Sequence, residues 1–284
     1  MGRVFSYEQT QEASRYIPSP EDFETAIDRF ADAANQEVSE GKISGAIVYG
    51  SVAIRAYTMR SDFDCLIIPY DHSSDSIAAT NRIVTSAAVD GKIDISAIVH
   101  PKDRLAKGAH GIDRFFGDHL TGKSRLVYGE DIKNYIDFPD YGAYVHLIAY
   151  LRHKKRSITN AFDANNPDYY KGLQRVLELP LAIGRKALRV IDELDHTNLA
   201  MSDSANKSKI TPAALKLFND AKLGDVPSSI IRLNADYTHL LAQAIEGDVD
   251  EREYQNILDK IALHGIEAST WLDALDEYFS EQYS

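Results

Sequence analysis

The sequence predicts an α+β protein, a mixed sheet with helices followed by an all-α helical bundle. Three observations carry that reading. The short apolar runs bounded by Gly or Pro, at 45–49, 63–68 and 93–99, all lie in the first 100 residues. Beyond about residue 140, apolar residues recur at helical spacing instead. Strands confined to one half of a chain favour α+β over an alternating βα pattern. The expected division is a first domain over 1–138 and a helical domain over 139–284.

The elements follow in order. Ser19-Pro20-Glu21-Asp22 starts a helix, with Ser as cap, Pro at the first helical position and acids in the first turn. That helix places Phe23, Ile27, Phe30, Ala31 and Ala34 on one face. Gly45 to Tyr49 reads as a strand ending at Gly50, and Phe63 to Ile68 as a second strand closed by Pro69. Ser73 to Ala88 reads as a helix, Asp90-Gly91 as a turn, and Ile93 to Val99 as a third strand stopped by His100-Pro101. In the second half Tyr144, Leu147, Ile148 and Leu151 mark a helix. A helical run over 170–194 contains Pro180, which is expected to kink or split it. Asp203 to Ser208 reads as a polar loop, and Thr211-Pro212 as the start of a further helix. The last helices are expected at 227–245, 250–263 and 267–281.

Composition bounds the partners. The apolar fraction of 44% is that of an ordinary globular protein, and the single cysteine, Cys65, has no internal partner for a disulfide. The first twenty residues are polar and no run approaches the length of a membrane span, so a cytoplasmic protein with no membrane partner is expected. The formal charge of −12 opposes broad coating of nucleic acid. The charge is uneven, however. From Arg152 to Arg189 nine Lys and Arg face three acids, so that segment is locally +6.

The residues that carry chemistry lie in GAIVYGSVAIRAYTMRSDFDCLII, 45–68. Residues i and i+2 of a strand share a face, so Asp62 and Asp64 present two carboxylates side by side. Two like charges so close disfavour joint ionisation unless a cation lies between them. A pair of divalent ions, about 3.5–4 Å apart, clamping the oxygens of a phosphoryl or nucleotidyl transfer is the usual answer. Oxygen ligands suit Mg²⁺. Asp94, between Ile93 and Ile95, is the candidate third ligand, with Asp90 in the turn as its competitor. An adjacent antiparallel strand would set Asp94 beside the pair. Gly50 lets backbone approach a phosphate, and Ser51 offers a hydroxyl and an N–H. Arg55 and Arg60, on the connection, are placed to pair with phosphate charge.

These residues resemble the DNA polymerase β-like nucleotidyltransferase superfamily, whose signature is Gly-Ser, a loop, a Ser-Asp-x-Asp strand and a later third carboxylate. Gly50, Ser51, Ser61, Asp62, Asp64 and Asp94 match it position by position. The likeness is strongest to aminoglycoside-type and minimal bacterial members with a C-terminal helical domain. It covers roughly 40–131 and includes Leu126 to Asp131, similar to the Leu-Tyr-Gly-x-Asp segment where such catalytic domains end. The resemblance implies nucleoside monophosphate transfer from a triphosphate, with ATP expected, to an acceptor hydroxyl. Asp62, Asp64 and Asp94 would be the catalytic residues and the ligands of two Mg²⁺ ions. Gly50, Ser51, Arg55 and Ser61 would bind the nucleotide. Small members usually read Ala-Arg-Gly after the Gly-Ser pair, whereas the corresponding stretch of this chain is Ala53-Ile54-Arg55, without a glycine.

Acceptor and base stay open at this level. A small polycation such as an aminoglycoside suits an acidic protein. A tRNA or a partner protein suits the basic 152–189 segment, where Lys154 or Lys155 would reach phosphates, with Lys123 and Arg125 as rivals. A solvated face is the plain alternative for that segment. Asp94, Asp113, Asp118 and Glu130 are the candidate bases. Cys65 heads an apolar run and reads as core rather than nucleophile. The rival to an enzyme is a degenerate member of the same fold that binds nucleotide or nucleic acid without catalysis.

Overall fold

A computed structural model of the chain describes residues 3–159, 169–197, 212–247 and 249–283. The polar loop expected at Asp203 to Ser208 lies outside them. The described elements are α1 (Tyr7–Gln11), α2 (Ala13–Tyr16), α3 (Pro20–Ser39), β1 (Ile43–Val48), α4 (Gly50–Ala53), β2 (Phe63–Pro69), α5 (Ser74–Ala87) and β3 (Ile95–Val99). There follow α6 (Lys102–Ala106), α7 (Arg114–Thr121), β4 (Leu126–Gly129), a 3₁₀ turn (Ile132–Asn134), α8 (Ala143–Thr159), α9 (Tyr169–Asp195), α10 (Pro212–Asp220), α11 (Val226–Glu246) and α12 (Glu251–Tyr283). The architecture is α+β, a four-stranded mixed sheet with helices and a helical C-terminal region. The chain divides into two compact units: 1–3 with 14–140, and 4–13 with 141–284. Residues 4–13, placed by sequence in the first domain, group with the helices of the second unit.

In the first unit, α3 begins as its sequence dictates. The Ser19 hydroxyl accepts from Asp22 N–H, the Asp22 carboxylate accepts from Ser19 N–H, and Pro20 opens the helix. Its Phe23, Ile27 and Phe30 pack with Ile83 of α5 and with Ala46, Val48, Phe63, Cys65 and Ile67 of the sheet. The opposite face of the sheet, Ile47, Tyr49, Leu66 and Ile68, packs on Leu105, Ile112, Leu120 and Ile132. The two central strands are therefore covered on both sides, which explains their near-continuous apolar sequence.

Strand order is β3-β2-β1-β4. β1 pairs antiparallel with β2 and with β4, and β2 pairs parallel with β3. The antiparallel neighbour expected to bring up Asp94 is thus replaced by a parallel one. The physical reason is α5, a crossover helix that returns the chain to the same end of the sheet. β3 is an edge strand, so Asp94, just ahead of it, is exposed rather than buried.

The helical unit departs from expectation twice. Pro180 lies buried inside α9 and does not split it into two elements. The two helices expected at 250–263 and 267–281 are one 33-residue helix, α12, because His264-Gly265-Ile266 offers no stop and Gly265 is buried. Phe5 N–H donates to the Tyr237 hydroxyl at 2.7 Å, and the Tyr254 hydroxyl donates to the Phe5 carbonyl. Those bonds tie the 4–13 segment to α11 and α12. Among the described residues no helix is long and apolar enough to cross a membrane.

Candidate functional site

The alternation of β2 decides where its acids face. Phe63, Cys65 and Ile67 point into the α3–α5 core, so Asp62 and Asp64 share the other face with Leu66 and Ile68. Both carboxylates are half-buried, at the open end of that face. The parallel register pairs Asp64 with Ser96 and Phe63 with Ile95, and Phe63 N–H donates to the Asp94 carbonyl at 2.8 Å. Asp94 thus lies one residue ahead of the paired segment, its backbone beside Asp62–Phe63, by a parallel pairing instead of an antiparallel one.

Gly50 lies against Asp64. Its φ is +74°, a left-handed conformation that glycine takes at least cost, and a Cβ there would lie 2.7 Å from Asp64 Oδ2. Two independent requirements, the turn and the close carboxylate, make this position a glycine. Tyr49 N–H donates to the Asp64 carbonyl at 3.0 Å, which fixes the end of β1 against the start of β2. Ser51 follows in the short helix α4, and its carbonyl accepts from Ala56 N–H at 2.9 Å, closing the turn.

Arg55 has φ +53°, at the third position of Ala53-Ile54-Arg55 where a glycine was missing from the pattern. The backbone thus makes the left-handed turn without the residue suited to it. Its guanidinium pairs with Glu24 of α3 at 3.0 Å, and the Tyr57 hydroxyl donates to the same carboxylate at 2.6 Å. Ser61 is buried. Its hydroxyl accepts from Thr58 N–H at 2.9 Å, and its own N–H donates to the Thr58 carbonyl, so it closes the turn that leads into β2. Arg60 is buried as well, its Nε donating to the Arg3 carbonyl at 3.1 Å while Arg3 N–H donates to the Arg60 carbonyl at 2.8 Å.

The electrostatics separate these groups. Burial pushes the Asp62 carboxyl above its ordinary value, and the Asp94 carboxylate acts in the same direction. Burial, with Asp64 beside it, raises the Tyr49 phenol far above its ordinary value. Burial pushes the Cys65 thiol up to about 12, again helped by Asp64, which agrees with a core residue and not a nucleophile. Asp94 is itself partnered. Arg3 Nε lies 3.2 Å from its Oδ2, and Arg3 Nη1 donates to the Lys92 carbonyl. Among the described residues no three His, Cys, Asp or Glu side chains converge as one metal-chelating group. The donor chemistry of Asp62, Asp64 and Asp94, hard carboxylate oxygens, suits Mg²⁺.

Other candidates are committed elsewhere. Arg125 forms a two-pronged bond to Asp131, 2.8 and 2.6 Å, and a third to the Gly122 carbonyl. Glu130 accepts from Ser44 at 2.7 Å and from Lys102 at 2.5 Å. Asp113 caps α7 by accepting from Phe116 N–H. Asp90 is exposed in its turn. In the helical unit Arg152 pairs with Asp276 at 3.0 Å and Lys155 with Asp273 at 2.6 Å. Lys154 and Lys186 both lie 5.4 Å over the Tyr150 ring, and burial lowers Lys154 below its ordinary value. Part of the +6 charge of that segment is thus neutralised or turned inward.

Sequence reasoning missed Arg3 and Tyr49. Arg3 gave no local signal, since only the fold brings it 91 positions along the chain to Asp94. Tyr49 was readable as the residue ahead of Gly50-Ser51, but its place beside Asp64 depends on the β1–β2 register. No family model matches the chain, and no curated protein matches it.

Proposed function

We propose that this chain is a nucleotidyltransferase of the DNA polymerase β-like type. It would move a nucleoside monophosphate from a triphosphate, ATP in the first instance, to an acceptor hydroxyl. The observation that supports the reading is the pair Asp62 and Asp64 at the start of β2, with Gly50 against Asp64 and Asp94 just ahead of the neighbouring strand β3. Asp62, Asp64 and Asp94 would hold two Mg²⁺ ions. When bound, these ions supply Lewis-acid stabilisation of charge at the attacking and leaving oxygens.

The chain's own residues supply the rest. The missing side chain of Gly50 leaves the Asp64 carboxylate its place against the turn, and Ser51 would offer its hydroxyl and N–H to the β,γ-phosphates. In the transfer the acceptor oxygen bonds to the α-phosphorus, the α–β bridging P–O bond breaks, and pyrophosphate leaves. Of the four candidate bases Asp94 is favoured, because its backbone is paired beside the Asp62–Phe63 segment through Phe63 N–H. Arg55 would reach phosphate on release from its exposed pair with Glu24, a pair worth roughly 0.2–1 kcal/mol. A small-molecule acceptor, such as an aminoglycoside, is favoured over tRNA because the basic helical segment spends part of its charge internally.

One observation favours the second reading, a non-catalytic nucleotide-binding protein: Arg3 already occupies Asp94. Binding of a fluorescent ATP analogue, with and without Mg²⁺, separates the two. The enzyme reading expects saturable binding that requires Mg²⁺ and is lost in Asp64→Asn. Binding indifferent to Mg²⁺ and to that substitution would move the weight to the non-catalytic reading.

A further inference from the structure

We infer that Arg3 is a displaceable counter-ion that gates the metal site, and that binding of a divalent cation expels it from Asp94. The inference rests on the nucleotidyltransferase reading above.

Residue 3 is docked by four contacts within the first unit. Its N–H and carbonyl exchange bonds with Arg60, N to O at 2.8 Å and Arg60 Nε to O at 3.1 Å. Its guanidinium donates to the Lys92 carbonyl and lies 3.2 Å from Asp94 Oδ2. The Arg3 side chain is 14% exposed whereas Asp94 is 55% exposed, so the cation is packed in and the carboxylate stays open to solvent on its other side.

That asymmetry suits competition. A divalent ion arriving from solvent meets a reachable Asp94 beside the Asp62–Phe63 segment, while the guanidinium approaches Asp94 with Nε 3.2 Å from Oδ2. A guanidinium and a divalent ion on the same carboxylate repel each other, so occupancy by one disfavours the other. The backbone bonds to Arg60 keep residue 3 at high local concentration, which makes the block reversible and not merely steric.

The test uses Mn²⁺ alone as probe, counting free ion by electron paramagnetic resonance, with the full chain and with Arg3→Gln, Arg3→Lys and Asp62→Asn/Asp64→Asn. Thermal melting confirms that each variant is folded. Arg3→Gln is expected to bind Mn²⁺ about three- to fivefold more tightly than the unaltered chain, the size of effect that loss of a partly exposed ion pair gives. Arg3→Lys should stay close to the unaltered chain, and the gap should narrow as ionic strength rises. Equal affinity in the unaltered chain and Arg3→Gln, with binding still lost in Asp62→Asn/Asp64→Asn, would overturn the gate and leave the metal site standing. Absence of saturable Mn²⁺ binding in every folded variant would overturn both.

Discussion

Asp131 and Asp62 are carboxylates of the same unit, and their surroundings drive them in opposite directions. The Arg125 fork holds Asp131 at about 2, well below its ordinary 3.8. Burial, with Asp94 acting alongside, holds Asp62 above that same value. Asp131 belongs to the scaffold: it ties the end of α7 to the segment after β4, and its charge is matched. Asp62 carries a charge that the fold disfavours. A carboxylate held against its own desolvation is a place where a cation would bind, and this contrast supports the proposal that the chemistry lies at the start of β2.

Substitutions can break that contrast or sharpen it. The largest effect is expected at Asp131→Asn. It removes the carboxylate from a nearly buried arginine and should cost roughly 2–4 kcal/mol in urea unfolding at pH 7. Because the folded pKa is depressed, the stabilisation by Asp131 exists above about pH 4 and disappears between about pH 4 and about pH 2. The variant should therefore lose the part of the acid transition that the unaltered chain shows in that window. A variant as stable as the parent at pH 7 would remove the scaffold half of the comparison.

Gly50→Ala comes next. The left-handed φ alone costs about 1 kcal/mol, and the new Cβ must push against the Asp64 carboxylate. A loss of about 1–2 kcal/mol in unfolding free energy is expected, together with weaker Mg²⁺-dependent nucleotide binding. Unchanged nucleotide binding would separate Gly50 from the site.

Asp62→Asn should do the reverse of Asp131→Asn. A carboxyl whose folded pKa is raised contributes stability below its unfolded pKa and loses it as pH rises through the folded value. Asparagine removes the charge, so at pH 7 the variant should be as stable as the parent or more stable by up to about 1 kcal/mol. Unfolding at pH 7 and at pH 4 checks the sign. A clear destabilisation at pH 7 would mean that the charge is satisfied within the fold. Arg55→Gly closes the series. Relief of the φ +53° turn, about 1 kcal/mol, offsets the lost exposed pair with Glu24. The net change should stay within about 0.5 kcal/mol.

How much of this was legible in the sequence varies with range. The helix start at Ser19-Pro20, the strands at β1 and β2 and the shared face of Asp62 and Asp64 follow from local rules of capping and alternation. The direction of β3 did not, because the antiparallel expectation ignored the crossover imposed by the helix over 74–87. Pro180 inside α9 and the uninterrupted α12 show tertiary packing overriding local breakers. Ser61, Arg60 and Arg125 have the right residue types for phosphate binding, yet each is spent on an internal hydrogen bond or ion pair. Only the three-dimensional partner list reveals that. Arg3 carried no sequence signal at all.

The most direct test of transfer at Asp62 and Asp64 is to incubate the purified chain with each α-³²P-labelled triphosphate and Mg²⁺ in a crude host lysate. Protein, RNA and small-molecule fractions are then separated. Nucleotidyl transfer predicts label in one fraction with the unaltered chain and at least a thousandfold less with Asp62→Asn/Asp64→Asn, whose fold persists. Label in the small-molecule fraction would also fix the acceptor class. Equal labelling by the two proteins, or none in any fraction with any triphosphate, would contradict it.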